Sequence, residues 1–505
     1  MELPNSNIAW PPAPYDKAQA DMSTWSAWYE GNTVGLAAKY QGGNGSGGLV
    51  GVAKRLFWGR PDPTAENRTK LHIPVAADIA RTSADLLFSE MPVFLVGEGS
   101  EDAKGGKAQE IMAKILDDTG AASELLEAAE LGSALGGTYM RLTWDQEMSD
   151  FVQMDAVDAD GAIPTFRRGQ LQSVIFWQVL DGGDKKNVYR FLERHARGTI
   201  EYALYKGTRS HIGMRLPLQD HEASEWAAPL VNADGIQETG VKGMTAGYTP
   251  NVFPNRGYRK TPQLAHLGRS DFDQLIPLFD AADEAYSSMM RDLRLGKARA
   301  FIDESLLKSN GPGQGSNFDE DQELYAKVTG LGSLKDSGNI LVNQPAIRHA
   351  EHRAIIEDII SQILRTAGYS AASFGDDPMI GNMTATEVNT RREMSERTRN
   401  KKIQYWKRML QPLATTALEL QSALFRNDGM QVDDVSVRFP TQTNVNPQVM
   451  SATIAALSGA EAISTERKVR MLNPNWNSDD INREVTLIQK EYGREPVPDP
   501  TAFKG

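Results

Sequence analysis

The stretch "MTATEVNTRREMSERTRNKKIQYWKRML", residues 383–410, holds neither proline nor glycine and carries eight basic residues against three acidic ones. "TATE" supplies a capping box, with Thr384 as N-cap and Glu387 at the third helical position. The spacing predicts a helix running to about Pro412 and, kinked, on to Phe425. At 1.5 Å per residue, residues 384–411 span roughly 42 Å, which is too long to hide within one small domain. Val388, Met394, Ile403, Trp406, Met409 and Leu410 give this rod an apolar face for a neighbour. Its cations have two readings: an ordinary solvated face, or a surface meeting DNA or an acidic face of another subunit.

The second reading matters because the chain is otherwise acidic, with 54 Lys plus Arg against 66 Asp plus Glu and a formal charge of −12. A hydrophobic content of 40 % describes a folded, soluble chain. At about 150 residues per domain its length suits roughly three units. Net acidity argues against tight, nonspecific wrapping of nucleic acid, because phosphates want a basic face, but loose handling of DNA remains compatible. The complete lack of cysteine excludes a disulfide frame and cysteine-ligated zinc, and fits a reducing compartment. "MELPNSNIAWPPAPYDK" is not a secretory signal, and no apolar run approaches the ~20 residues of a membrane span. The chain is expected to stay inside the cell or particle that makes it.

Along the chain, "QGGNGSGGLVG" (41–51) is the most flexible-looking stretch, in a 1–69 segment rich in Pro, Gly, Trp and Tyr. A helix is expected over 72–90, with Ile73, Ala76, Ala80, Leu87 and Phe88 on one face and Pro92 as its stop. A second is expected over 107–134, broken at Gly120. From Gly137 to about 260, "TYMRLTW", "SVIFWQVL", "NVYRFLERHA" and "TIEYALYK" read as strands of one antiparallel meander, with "DGGDKKN" as a hairpin turn. Pro277 then opens a helix with the stripe Leu278, Ala282, Ala285, Met289 and Leu293, and with Asp280, Asp283 and Glu284 near its positive end. Residues 298–348 interrupt with a Gly-rich loop, an acidic patch and the strand-like "NILVNQ". A helix over 350–367 carries Ile355, Ile356, Ile359, Ile360, Ile363 and Leu364 and stops at Gly368. After the long helix come a strand, "VSVRFP", and three short helices starting near Asn446-Pro447, Ser464 and Ser478. The tail 494–505 is expected to be disordered.

The sequence offers catalysis little to stand on. Gly43, Gly45 and Gly48 satisfy G-x-G-x-x-G but lack the flanking strand and helix of a dinucleotide site, so a loop is the better reading. Gly106-Lys107 and Gly296-Lys297 are each followed by Ala, so no Walker A motif exists. Asp319, Glu320, Asp321 and Glu323 could clamp two metal ions, but adjacent acids beside a Gly-rich loop are more often a solvated or partner-facing patch. His349, Glu351 and His352 fit neither H-E-x-x-H nor H-x-x-E-H and read as a polar helix start. No G-x-S-x-G elbow marks a nucleophile. No cofactor, metal or catalytic residue is expected.

The segments "HIPVAADIARTSADLLFSEMP", "GGTYMRLTWD", "GRSDFDQLIPLFDAADEAYSSMMRDLRLGKAR", "TATEVNTRREMSERTRNKKIQYWKRML" and "AISTERKVRMLNPNW" together resemble the portal proteins of tailed double-stranded DNA bacteriophages, over about residues 70–490. The resemblance implies an α+β portal fold that assembles as a ring of twelve subunits. Its parts would be an α/β wing (70–265, with the long helix and strand of 384–440), stem helices (266–297 and 349–368), a small α/β clip (298–348), a tunnel loop (369–383) and a helical crown (441–493). It further implies a channel at one capsid vertex for packaging and ejecting double-stranded DNA, in a virion made in a bacterial cytoplasm. Its partners would be the terminase, head-completion and adaptor proteins, the major capsid protein and a scaffold protein, with no membrane. The tunnel-loop candidates are Ser373, Phe374, Asp376, Asp377, Met379, Ile380 and Asn382. The clip candidates for a partner interface are Asp319, Glu320, Asp321 and Glu323. A nucleic-acid-processing enzyme and a capsid shell protein are the alternatives.

Overall fold

The computed structural model describes residues 1–36 except 6, 71–97, 106–295 except 185, strand segments at 299–301, 308–309, 316–317 and 341–343, then 348–374, 385–425, 430–440, 447–473 and 478–491. The chain is α+β and divides into two compact units: Met1–Asn382 with Val388–Phe439, and Met383–Glu387 with Pro440–Gly505. Gly43, Gly45 and Gly48, and the acidic run 319–323, lie outside the described residues.

Helix α1 (Tyr15–Tyr29) precedes α2 (Val75–Phe88), which stays amphipathic along its whole length. The first half of α2 buries Ala76, Ile79 and Ala80 beside Trp28 of α1; its second half buries Ala84, Leu87 and Phe88 in a separate core. The helix expected over 107–134 is two helices, α3 (Lys107–Asp117) and α4 (Ala121–Leu135), and the break falls at Gly120 with φ +74°. At the far end of α4, Gly136 has φ +91°, and its amide donates to the Gly132 carbonyl. A Cβ there would lie 2.9 Å from the Ser270 amide nitrogen, so the site needs glycine for both its conformation and its space. The opening residues are also packed: Leu3 and Trp10 are buried, and the Tyr205 hydroxyl donates to the Pro4 carbonyl at 2.7 Å.

The single meander expected from sequence is two sheets. Strands β4 (Ala162–Arg167), β5 (Gln170–Leu180), β6 (Val188–Ala196), β7 (Thr199–Gly207) and β8 (Met214–Leu216) form an antiparallel meander, with β9 (Ile236–Glu238) pairing β7. The expected turn joins β5 to β6, where Asp184 accepts from the Lys186 and Asn187 amides. "TYMRLTW" belongs elsewhere: β2 (Gly137–Thr143) is the centre of a three-stranded sheet between β3 (Gln153–Asp158) and β10 (Ala246–Pro250). Those partners, "QMDAVD" and "AGYTP", are rich in Asp, Gly and Pro, which strands disfavour, so propensity hides them. Buried on both faces, β2 sends Tyr139 into one core and Met140 and Leu142 into the other. The strand read in "VSVRFP" is β15 (Val435–Arg438), which pairs antiparallel with β1 (Val93–Val96) and closes the first unit.

Helices α5 (Ile276–Leu295) and α6 (His349–Ala367) run antiparallel, with residues 296–348 inserted between them. The chain leaves α5 through β11 (Arg299–Phe301) and returns through β14 (Leu341–Asn343), and the two strands pair antiparallel. Within the insertion, β12 (Lys308–Ser309) pairs with β13 (Ser316–Asn317). Asp292 near the end of α5 accepts from Arg348 and contacts His352 at the start of α6, both at 2.9 Å. Hydrogen bonds from these two residues hold the Asp292 carboxyl below its ordinary value. Of the stripe expected on α5, Ala282 is buried and Leu278 packs against the core, joined by Phe279, while Leu293 is 45 % exposed. Asp283 does not serve the helix dipole; it is buried, bonded to His72 Nδ1 and the Ile73 amide at 2.9 Å each. On α6, Ile356, Ile363 and Leu364 face inward as expected but Ile355 is exposed.

Helix α7 (Ala385–Leu424) starts where the capping box places it and runs through Pro412. Its Ile403, Trp406, Met409 and Leu410 are buried as expected, whereas Met394 is exposed. In the second unit, α8 (Pro447–Gly459), α9 (Thr465–Leu472) and α10 (Ser478–Glu491) begin at the expected positions, and Ser464 caps α9 by accepting from the Arg467 amide.

The two glycines flanking α4 give a paired prediction. Gly136→Ala should destabilise the chain by about 3 kcal/mol, from its left-handed φ plus the collision with Ser270. Gly120→Ala, where a Cβ meets open space, should cost only about 1 kcal/mol. Urea melts of the two variants check this; equal shifts in midpoint would contradict it.

Candidate functional site

Of the predicted tunnel loop, 369–383, residues 375–383 lie outside the described set. Its beginning is fixed in detail. Gly368, with φ +91°, ends α6: its amide donates to the Leu364 and Arg365 carbonyls, and the Tyr369 amide reaches Leu364 at 2.9 Å. Residues Ala371–Phe374 then make one 3₁₀ turn against α7. Three bonds tie this turn down: Thr398 Oγ1 to the Gly368 carbonyl at 2.7 Å, the Ser370 amide to Ser395 Oγ at 2.9 Å, and Ser373 Oγ to Ser395 Oγ at 2.8 Å. Phe374 sits edge-on to Tyr369, with ring centroids 6.3 Å apart. Of the tunnel-loop candidates, Ser373 and Phe374 therefore lie at the base; Asp376, Asp377, Met379, Ile380 and Asn382 are outside the described residues.

Beneath this base is a buried charge pair. Lys402 Nζ donates to Asp271 Oδ2 at 2.6 Å, Ser83 Oγ at 2.7 Å and Tyr369 Oη at 2.8 Å, which uses all three of its protons. The Tyr369 hydroxyl donates in turn to Asp271 Oδ2, as does Ser133 Oγ, and Asn251 Nδ2 donates to Oδ1. The side chains of Lys402 and Asp271 are 3 % and 1 % exposed, so the pair is desolvated and fully hydrogen-bonded. Desolvation lowers the Lys402 ammonium pKa, opposed by Asp271, and raises the Tyr369 phenol well above its ordinary value. One ion pair thus joins α2, α4, the chain after β10, the chain entering α5, the exit of α6, and α7.

The basic helix is consequently not a uniform outward-facing charge stripe. Lys402 and Arg399 point inward, the latter donating to the Leu86 carbonyl; Arg397 pairs along the helix with Glu393. Sequence reasoning missed the inward cations. The available signal was position: Lys402 adjoins Ile403 and lies one turn before Trp406 on the apolar face. The motif "GRSDF" is the counterpart. Asp271 is the carboxylate, Ser270 Oγ donates to the Ala134 carbonyl, and Phe272 is wholly buried.

His352 is engaged with Asp292, and no group of three metal-capable side chains occurs among the described residues. No helix among the described residues is long and apolar enough to cross a membrane.

The chain belongs to the phage portal protein family, SPP1 Gp6-like, whose sequence model matches residues 15–495. Solved structures similar to it include the neck of an empty gene transfer agent particle computed with C6 symmetry, at 14 % identity, TM-score 0.38, covering 79 % of this chain and 90 % of that one. Another is the virion of a native gene transfer agent particle, at 14 % identity, TM-score 0.37, covering 79 % and 89 %. No curated protein matches the chain.

Removing one partner of the buried pair gives a sharp expectation. Lys402→Met should cost about 3–5 kcal/mol by leaving Asp271 charged and uncompensated. Lys402→Met with Asp271→Asn should recover part of that loss. Guanidinium unfolding of Lys402→Met, Asp271→Asn and the double variant decides it; a double variant as unstable as the sum of the singles would mean the two groups are not coupled.

Proposed function

We propose that the chain is the subunit of a closed ring at one capsid vertex, through which double-stranded DNA enters during packaging and leaves during ejection. The observation that carries this reading is the junction just described: a helical hairpin anchored end to end and joined through a pinned turn to the long helix. In this reading 70–265 with 384–440 is the wing, 266–297 and 349–368 the stem, 298–348 the clip, and 441–493 the crown. Segment 369–383 faces the channel, its base held at Tyr369–Phe374 and its remainder carrying Asp376, Asp377, Met379, Ile380 and Asn382. Asp319, Glu320, Asp321 and Glu323 give the clip an acidic surface for docking the terminase and later the head-completion proteins. The ring has twelve copies, meets the major capsid protein and a scaffold protein, and resides in the virion after synthesis in the host bacterial cytoplasm.

The charge supports the role. A formal charge of −12 per chain multiplies with copy number, and duplex DNA carries about one charge per 1.7 Å, so the conduit repels its cargo and lets it slide. The ring carries no turnover of its own, since it lacks a Walker A motif; the motor that burns ATP is a separate docked protein.

Asp376→Lys with Asp377→Lys should make the assembled protein hold duplex DNA with a marked salt dependence, read by filter binding across a salt series, and should leave particles underfilled. Variant assemblies that bind DNA no better and fill normally would remove this segment from the constriction. Purified wild-type protein should show no ATP hydrolysis above buffer; turnover lost on Asp319→Ala with Asp321→Ala would make it an enzyme.

A further inference from the structure

A cleft of about 730 Å³ lies where the tips of two β-hairpins meet the middle of α7. Its rim carries Arg168, Arg197, Lys242 and Arg408, all exposed, with no carboxylate among its lining residues. None of the four forms an ion pair among the described residues. Arg408 donates only to the Gly169 carbonyl, at 3.3 Å. Arg168 occupies the two-residue turn between β4 and β5 with φ +52°, a conformation that suits asparagine or glycine and strains arginine. Tyr248, Phe253 and Tyr405 supply apolar walls. The cleft is thus cationic, amphipathic and unpaired.

The opposite end of the same β4–β5 hairpin is acidic. There Glu127, Asp158 and Asp160 border a second cleft, of about 310 Å³, whose lining cation Arg141 is paired with Asp155 and Glu193 instead. None of the three acids forms an ion pair among the described residues, and partial burial, then repulsion from Asp160 and Glu127, pushes the Asp158 carboxyl up to about 6. Residues 170 and 177, which line the two clefts, are seven strand positions apart, or roughly 20 Å along one rigid hairpin. Complementary patches at opposite ends of a rigid element cannot meet within one molecule; they suit a head-to-tail contact, the kind that closes rings.

We infer that the cleft rimmed by Arg168, Arg197, Lys242 and Arg408 receives the Glu127–Asp158–Asp160 edge of a second copy of this chain. The contact rests on the ring reading above and specifies which surfaces form it. It gives the hairpin a role as a rigid spacer between successive subunits, and gives Arg408 of the long basic helix an acidic partner that its own subunit does not offer.

The cysteine-free sequence permits a clean test. Gln170 and Gln178 are exposed and line the cationic and acidic clefts respectively. A full-length Gln170→Cys/Gln178→Cys variant, treated with a bismaleimide too short to span the strand between them, should give a covalent ladder extending beyond the dimer. Each single variant should give none. Arg168→Glu with Arg408→Glu should abolish the ladder, and adding Asp158→Lys with Asp160→Lys in the same chain should restore it. Closed rings visible by electron microscopy without a ladder would overturn this contact and leave the ring standing. Unlinked monomers at every concentration would overturn both. A short DNA duplex that protects Gln170→Cys from maleimide while no ladder forms would overturn the contact and assign the cleft to nucleic acid.

Discussion

The ion pair between Lys402 and Asp271 is the constraint on which the first unit depends. Neither charge reaches solvent, and each is satisfied only if α2, α4, the start of α5, the end of α6 and α7 arrive together. An apolar contact would tolerate a shifted helix; a buried ammonium with three fixed acceptors does not. Such pairs contribute little net stability, because desolvating both charges offsets their attraction, whereas removing one partner is strongly destabilising. Here the pair sits at the crossing between the α5–α6 hairpin and the long helix.

The Asp292 contacts to Arg348 and His352 hold one end of the helical hairpin, and Gly368, Thr398 and Ser395 hold the other. Tyr369 belongs to both the hydrogen-bond network and the turn that leads into 375–384. A displacement of Tyr369 therefore bears on the buried pair directly, and through Ser133 and Asn251 on the ends of α4 and β10.

Much of this was legible in the sequence where physics is local. Gly120 and Gly368 end helices because only glycine takes their φ cheaply, and α7 starts at Ala385, directly after the N-cap position read from the sequence. The apolar spacing of Ile403, Trp406, Met409 and Leu410 gave the packed face of that helix correctly. What was hidden is non-local. The partners of β2 lie in segments of poor strand propensity, so pairing depends on tertiary context. Asp283 and Lys402 read as dipole and surface charges because their partners, His72 and Asp271, are far away in sequence. The motif "GRSDF" supported the family resemblance before its physical reason was visible; the reason is that Asp271 is the shared acceptor of the hub.

Electron microscopy of the purified full-length chain should show closed rings with an open axial channel and a single dominant copy number. Monomers, open filaments or shells in place of rings, both in the purified protein and at the vertices of intact particles, would contradict it.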